Sequence, residues 1–339
     1  MLARRRFGDL ALWPALWFGA GISLWLLTGR MPFLAALPFG LAAVLAADRG
    51  TQPAAAALAA LTALTSPVAG LFVALVGGAI ALAGERRTGL WLALGGILPT
   101  VVLNLAFPVG GSEPFRFSAF IAVPLLALAV IWLVPERYRA LRIGALLYAA
   151  LALAVFLVPN ALGGNVTRLG ALFAGPVLAL VLWPRGRLVV LAVSLPLLYW
   201  QLLAPVRDLR KAAGDPATER AFYAPLLAEL DRRPAVTRIQ IPPTENRWEA
   251  AYVARRYPIA RGWLRQLESE DFDLFTDSNL TADAYREWLA EHEVGYVAVA
   301  DADLDYLAED EVALIDSGLD YLEPIWRGDD WRLYRVGRT

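Results

Sequence analysis

Apolar residues run in long blocks through the first three-fifths of the chain, then give way to short, half-apolar segments. The blocks fall at about 10–27, 32–47, 53–64, 67–83, 88–106, 117–133, 143–158, 169–183 and 187–203. Several are shorter than the roughly 20 residues that a straight membrane-crossing helix needs. Pro14, Pro38, Pro67, Pro99, Pro124, Pro176 and Pro196 lie in or beside them. Short, proline-broken helices are tolerated in a bilayer where neighbouring protein covers the freed backbone groups. The pattern predicts an all-α bundle of about nine short, irregular membrane helices over residues 1–205. It also predicts a small extracytoplasmic α/β domain with a mixed sheet over 206–339. Arg4, Arg5 and Arg6 precede the first block as in a signal peptide. More blocks follow at once and no small-residue cleavage site ends it, so it reads as a first membrane helix.

The C-terminal part carries shorter periods. Glu219 to Arg232 reads as an amphipathic helix with Phe222, Leu226, Leu227 and Leu230 on one face. Thr237 to Ile241 alternates as a strand and ends at Pro242-Pro243, and Arg247 to Arg256 reads as a second helix. Thr281 suits the N-cap of a helix running to about His292, with Tyr285, Trp288 and Leu289 turned inward. Tyr296 to Val299 reads as a buried strand, and Asp310 to Ser317 as a helix stopped by Gly318. Leu322–Arg327 and Trp331–Val336 form a terminal hairpin across Gly328-Asp329-Asp330. Helices and strands alternate, as in an α/β unit.

Charge divides the chain at the same place. Residues 1–203 carry a net +9 and residues 204–339 a net −10, within an overall −1. Eleven arginines (Arg4 to Arg6, Arg49, Arg86, Arg87, Arg137, Arg139, Arg142, Arg185 and Arg187) fall in alternate loops. The remaining short loops hold only Arg30, Arg116 and Arg168. The positive-inside rule puts the richer set in the cytoplasm. The expected location is therefore the plasma membrane, multi-pass, with the N-terminus cytoplasmic and the C-terminal domain outside. Pro53 to Ala83 then has two cytoplasmic flanks, so it must turn back at Thr65-Ser66-Pro67 as a hairpin or re-entrant pair.

Composition excludes some chemistry. The chain has no cysteine and one histidine, His292. Disulfides, thiolate metal sites and His-based triads are thereby ruled out; no metal, no cofactor and no nucleic-acid partner is expected. His292 and the acidic run Asp301, Asp303, Asp305, Glu309 and Asp310 read as solvated surface. No ionisable group lies mid-span, which counts against an ion-coupled transporter. Asn104 is the clearest polar residue within a block and reads as an interhelical hydrogen-bonding group.

Polar groups gather instead in the loops on the outer side. Gly110 to Arg116 brings Glu113 and Arg116, and Pro159 to Arg168 brings Asn160, Asn165 and Arg168. Arginine at the edge of a lipid bundle suits bidentate contact with a phosphate, though ordinary loop polarity with headgroup contact accounts for it equally well. In the soluble part, Asn246-Arg247-Trp248-Glu249 and Arg261-Gly262-Trp263-Leu264-Arg265 set tryptophan beside polar partners. That mix binds sugar rings, and it also joins a domain to its neighbours.

Four stretches carry a resemblance: LTALTSPVAGLFVAL (Leu61–Leu75), PNALGGNVTRLGALFAGP (Pro159–Pro176), NRWEAAYVARRYPIARGWLRQLE (Asn246–Glu268) and EPIWRGDDWRLYRV (Glu323–Val336). With the order of parts, they resemble the GT-C class of integral-membrane glycosyltransferases, in an actinobacterial-type branch. The resemblance implies transfer of a sugar from a polyprenyl-phosphate donor to a glycan or lipid acceptor on the outer face, in cell-envelope assembly. Arg116 and Arg168 would then hold the lipid phosphate and Asn165 would orient it. Glu113 would be the catalytic base, and Trp248, Glu249, Arg261, Trp263 and Arg265 would bind substrate on the acceptor side. The class carries its catalytic acid in the first outer loop, which here is Thr28-Gly29-Arg30-Met31 and holds none. Other members have an extra helix and loop ahead of this region. The chain is therefore expected to be either a shortened reading frame or a non-catalytic relative. The alternative reading is a non-enzymatic membrane protein that binds lipid-linked glycan or scaffolds a synthase.

Overall fold

A computed structural model describes residues 7–107, 113–233, 236–262, 274–275 and 280–337. The chain divides into two compact units, Met1–Arg207 and Asp208–Thr339.

The first unit is helical. Its helices are α1 (Leu12–Leu27), α2 (Met31–Asp48), α3 (Gln52–Thr65), α4 (Pro67–Leu82) and α5 (Arg86–Ala106). There follow α6 (Phe117–Phe120), α7 (Ala122–Leu133), α8 (Arg139–Leu157), α9 (Arg168–Leu182) and α10 (Arg187–Ala212). Counting short flanking turns, six helices among the described residues are long and apolar enough to cross a membrane. They span Gly8–Leu27, Met31–Asp48, Arg86–Ala106, Glu136–Leu157, Gly163–Arg185 and Arg187–Ala212. Three more apolar helices, Gln52–Thr65, Pro67–Leu82 and Phe117–Leu133, are shorter. In place of about nine short helices there are, among the described residues, six of membrane-crossing length and three shorter apolar ones.

Proline does not break these helices as expected. Pro38, Pro99, Pro176 and Pro196 lie inside continuous helices, as membrane helices allow when local adjustment satisfies the freed carbonyl. Ser66 is the true break. Its backbone is extended (φ −154°, ψ 111°), its hydroxyl accepts from the Ala69 N–H, and Pro67 opens α4. That is the N-cap and first-turn proline pairing that starts a helix.

Small residues let α4 and α5 touch. A Cβ on Gly77 would strike the Ala93 backbone, and one on Gly89 would strike Gly77 and Ala81. Close backbone approach of this kind is how membrane helices gain packing energy. Asn104, expected between helices, lies instead on an exposed side of α5 with Val101, Val102 and Leu105. The buried amide is Gln201, 1% exposed.

The second unit contains α11 (Arg220–Leu230), β1 (Ile239–Gln240), α12 (Glu249–Tyr252), α13 (Ala282–Glu291), β2 (Tyr296–Ala300), α14 (Glu309–Asp316), β3 (Leu322–Arg327) and β4 (Trp331–Val336). The four-stranded sheet has the order β1-β2-β4-β3. β1 and β2 are parallel, whereas β4 runs antiparallel to both neighbours. Each face of the sheet is covered. Phe222, Tyr223 and Leu226 pack with Ile239, Ala298 and Trp331, while Tyr285, Trp288, Leu289 and Ile315 pack with Val297 and Val299. Covering both faces explains why all five residues of β2 are buried.

The helix expected over Arg247–Arg256 shrinks to the single turn Glu249–Tyr252. Arg247 accounts for the later start, because its backbone is left-handed (φ 53°) and cannot begin a right-handed helix. The guanidinium of Arg247 pairs with Asp305 at 3.1 Å and holds it there. Asp305 is 7% exposed, which corrects its place in a solvated acidic run.

Candidate functional site

In the first unit, two loops meet at one end of the bundle. The Glu113 N–H donates to the Asn160 carbonyl at 3.0 Å, and the Gly164 N–H donates to the Pro114 carbonyl at 3.3 Å. The PNALGGNVTR stretch is shaped from within. The Asn160 side-chain oxygen accepts from the N–H groups of Leu162 and Gly163, at 2.9 and 3.0 Å, the local turn that asparagine favours. Gly163 is left-handed (φ 44°), and a Cβ there would strike the Glu113 carbonyl. A 3-10 turn over Gly163–Thr167 then leads into α9. Val166 is fully buried, and its carbonyl accepts from the Tyr148 hydroxyl at 2.8 Å. The same hydroxyl accepts from the Gly170 N–H at 3.1 Å.

This scaffold places Arg168 on the first turn of α9, half-buried. Its guanidinium donates to the Asn165 side-chain oxygen and lies 5.4 Å from the Phe33 ring centre. Arg30, from the first loop, lies 5.3 Å from the Trp25 ring centre and donates to the Thr28 hydroxyl. The two rings are neighbours, with centres 6.2 Å apart. Arg30 and Glu113 are both close enough to act on the Arg168 charge. Glu113 itself is exposed.

Sequence reasoning put Glu113, Asn165 and Arg168 together, and the structure joins their loops. It missed Arg30 as a member of the group. The one available signal was that Arg30 shares the arginine-poor set of loops with Arg116 and Arg168. Arg116 is exposed and caps α6. Below it, Phe115, Phe117, Phe120 and Phe156 form an aromatic cluster that anchors the 113–117 segment.

In the second unit, the expected sugar-binding residues separate. Trp248 is 40% exposed and stacks on Tyr252, with ring centres 5.5 Å apart. Glu249 turns inward, 4% exposed, and accepts from the Thr244 hydroxyl at 2.7 Å. Burial pushes its carboxyl above the usual range, while the Thr244 hydrogen bond and Arg247 pull it partly back. Arg261 is also internal: it pairs with the fully buried Glu311 and lies 3.7 Å from the Phe275 ring centre. Glu311 accepts as well from the Gln240 amide and the Tyr285 hydroxyl, both at 2.7 Å. Glu249 and Arg261 thus face the unit's interior, where each is held by a protein partner. Trp263 and Arg265 lie outside the described residues.

A surface hollow lined by Leu280, Asp310, Ala313, Leu314 and Ser317 contains none of the candidate residues. The architecture defines a class: a bundle with several apolar helices of membrane-crossing length, followed by a small α/β unit. No protein-family model matches the chain, and no curated protein and no solved structure is significantly similar to it.

Proposed function

We propose that this protein is a GT-C-like membrane protein of envelope glycan assembly, one that engages a polyprenyl-phosphate-linked sugar at its outer face. The observation that carries the reading is the grouping of Arg168, Asn165 and Arg30 at one end of an apolar bundle, with Glu113 in electrostatic reach. A half-buried arginine oriented by an amide suits a phosphate oxygen, because a charge-assisted hydrogen bond to a preset donor is stronger than a neutral one. The outer position follows from the arginine distribution among the loops. In a transfer reaction Glu113 is the base: it takes the proton of an acceptor hydroxyl as the sugar leaves its phosphate. The exposed Trp248 offers a flat face to a glycan.

A second reading is binding without turnover, as a carrier-lipid receptor or synthase scaffold. One observation favours it: the first outer loop contributes a cation, Arg30, where the resembled class carries an acid. Both readings are tested on the full chain in membranes, using a polyprenyl-phosphate sugar as donor. The expected result is that Arg168→Ala weakens donor binding at least tenfold. Transfer that is abolished by Glu113→Gln supports the enzyme. Binding with no transfer by the wild type supports the receptor, and unchanged binding in Arg168→Ala removes the phosphate role from both.

A further inference from the structure

One hydroxyl straddles Arg168. The Tyr148 hydroxyl donates to the Val166 carbonyl at 2.8 Å and accepts from the Gly170 N–H at 3.1 Å, two residues before Arg168 and two after it. Tyr148 stands in the middle of α8 and is 4% exposed. Gly170 suits its place because the Trp200 ring of α10 fills the space a Cβ would need. That Cβ would also lie 3.1 Å from the Tyr148 hydroxyl. Side chains from α8 and α10 therefore close on the backbone of α9 that carries Arg168.

The first turn of a helix has N–H groups with no partner inside the helix, and such groups often receive phosphate. In α9 the protein itself takes two of them. The Arg168 N–H donates to the Asn165 carbonyl, and the Gly170 N–H donates to Tyr148. The main donor left for a phosphate is the Arg168 guanidinium, which the Asn165 side chain orients. A guanidinium has five N–H donors, so that one bond leaves others for a ligand. How well they are aimed depends on the backbone from which the side chain projects. A group already held in its bound geometry loses less freedom on binding.

We infer that Tyr148 is a positioning residue for the phosphate contact of Arg168, acting through the two backbone groups that flank it. This rests on the phosphate reading of Arg168 above and deepens it by naming what holds the arginine in place. The Tyr148 hydroxyl spends its donor and an acceptor position within the protein, so its effect on a ligand passes through α9. Phenylalanine at this position keeps the ring and its packing. It leaves the Val166 carbonyl and the Gly170 N–H without their partner in apolar surroundings, a costly state. Those groups regain hydrogen bonds only if the turn shifts, and a shift moves Arg168.

The test uses the full chain in phosphatidylcholine nanodiscs, with a synthetic polyprenyl-phosphate sugar as the probe. Tyr148→Phe is expected to weaken binding about tenfold, within the range of coupling between residues that share one network. The double variant Tyr148→Phe/Arg168→Gln is expected to bind no more weakly than Arg168→Gln alone, because the hydroxyl then has nothing to position. Ser66→Ala removes the cap of α4. It is expected to lower the melting temperature without weakening binding, and so reports what lost stability does by itself. An equal loss of binding in Ser66→Ala, or full additivity in the double variant, overturns the inference. Unchanged binding in Tyr148→Phe also overturns it, and a loss in Arg168→Gln then leaves the phosphate reading standing. Unchanged binding in Arg168→Gln, or no binding by the wild type, overturns the phosphate reading and the inference with it. If Tyr148→Phe fails to fold, 3-fluorotyrosine placed at position 148 decides instead. Its fluorine resonance is expected to shift when the probe binds and to stay fixed in Arg168→Gln. A resonance that ignores the probe, or moves equally in Arg168→Gln, overturns the inference.

Discussion

The Trp17 indole N–H donates to the Gln201 side-chain oxygen at 2.6 Å, joining the first apolar helix of the bundle to the last. The Trp25 indole N–H points to the Gln201 backbone carbonyl at 3.4 Å, so both indoles converge on one residue. A Cβ on Gly21 would strike the Gln201 side chain. Trp25 is also the ring beneath Arg30, so the Gln201 backbone carbonyl helps hold the ring over which that guanidinium lies.

Gln201→Leu is therefore expected to remove the acceptor of the Trp17 indole and to loosen the α1–α10 contact, while Trp25 keeps its backbone acceptor. Lost side-chain hydrogen bonds between membrane helices cost about 0.6 kcal/mol on average, so the protein should fold with a lowered melting temperature. Gly21→Val should be worse, because the new side chain displaces Gln201 instead of deleting a bond. Thermal melts of the two detergent-solubilised variants measure the order.

Gly163→Ala is expected to separate the two loops. Its backbone is left-handed, where a non-glycine residue pays about 1–2 kcal/mol, and its methyl group meets the Glu113 carbonyl. The Glu113 segment must then shift away from Asn160 and Gly164. Binding of the polyprenyl-phosphate sugar should weaken, and the melting temperature should fall by a few degrees. Retained binding would mean that the loop pairing does not shape the site.

Glu311→Ala is expected to destabilise the second unit by about 3–5 kcal/mol, the range for breaking a buried ion pair. Arg261 would remain as a buried charge without its partner, and Tyr285 and Gln240 would lose their acceptor. Among the described residues the Arg261 Nε and the Gln240 Oε1 already have no hydrogen-bond partner, so nothing nearby compensates. Limited proteolysis of the full chain across a urea series reports this unit selectively. A shift below about 1 kcal/mol would make the network ornamental.

Glu249 gives a pH dependence of definite sign. Its folded carboxyl titrates above its unfolded value because of burial, so the folded state holds a proton that the unfolded state has released. Stability from this group is full below the unfolded value, near pH 4.5, and falls as pH rises through the folded value. Glu249→Gln should flatten that slope and should be relatively more stable at pH 8 than at pH 4. Urea titrations of wild type and variant at the two values provide the check.

Much of the second unit was legible because its signals are local. Thr281 caps α13 through the Ala284 N–H, as its position before an apolar period implies. The hairpin Leu322–Arg327 and Trp331–Val336 appears with the expected bounds, because alternation and the Gly-Asp-Asp turn specify it over fifteen residues. Arg247 was not legible. Its left-handed backbone is set by Asp305, 58 positions away, and no local period records that partner.

In the first unit, the sequence alone determined the apolar helices, the break at Ser66 and the polar stretch Pro159–Arg168. Those follow from hydropathy and from proline and glycine chemistry, which act within a few residues. Tertiary structure alone decided that Gln201 and not Asn104 is the buried amide, and that Glu249 and Arg261 face inward. It also decided that Arg30 shares a site with Arg168. Each of these depends on which face of a helix or turn meets a neighbour distant in sequence. An apolar helix with no marked polar side leaves that choice to packing.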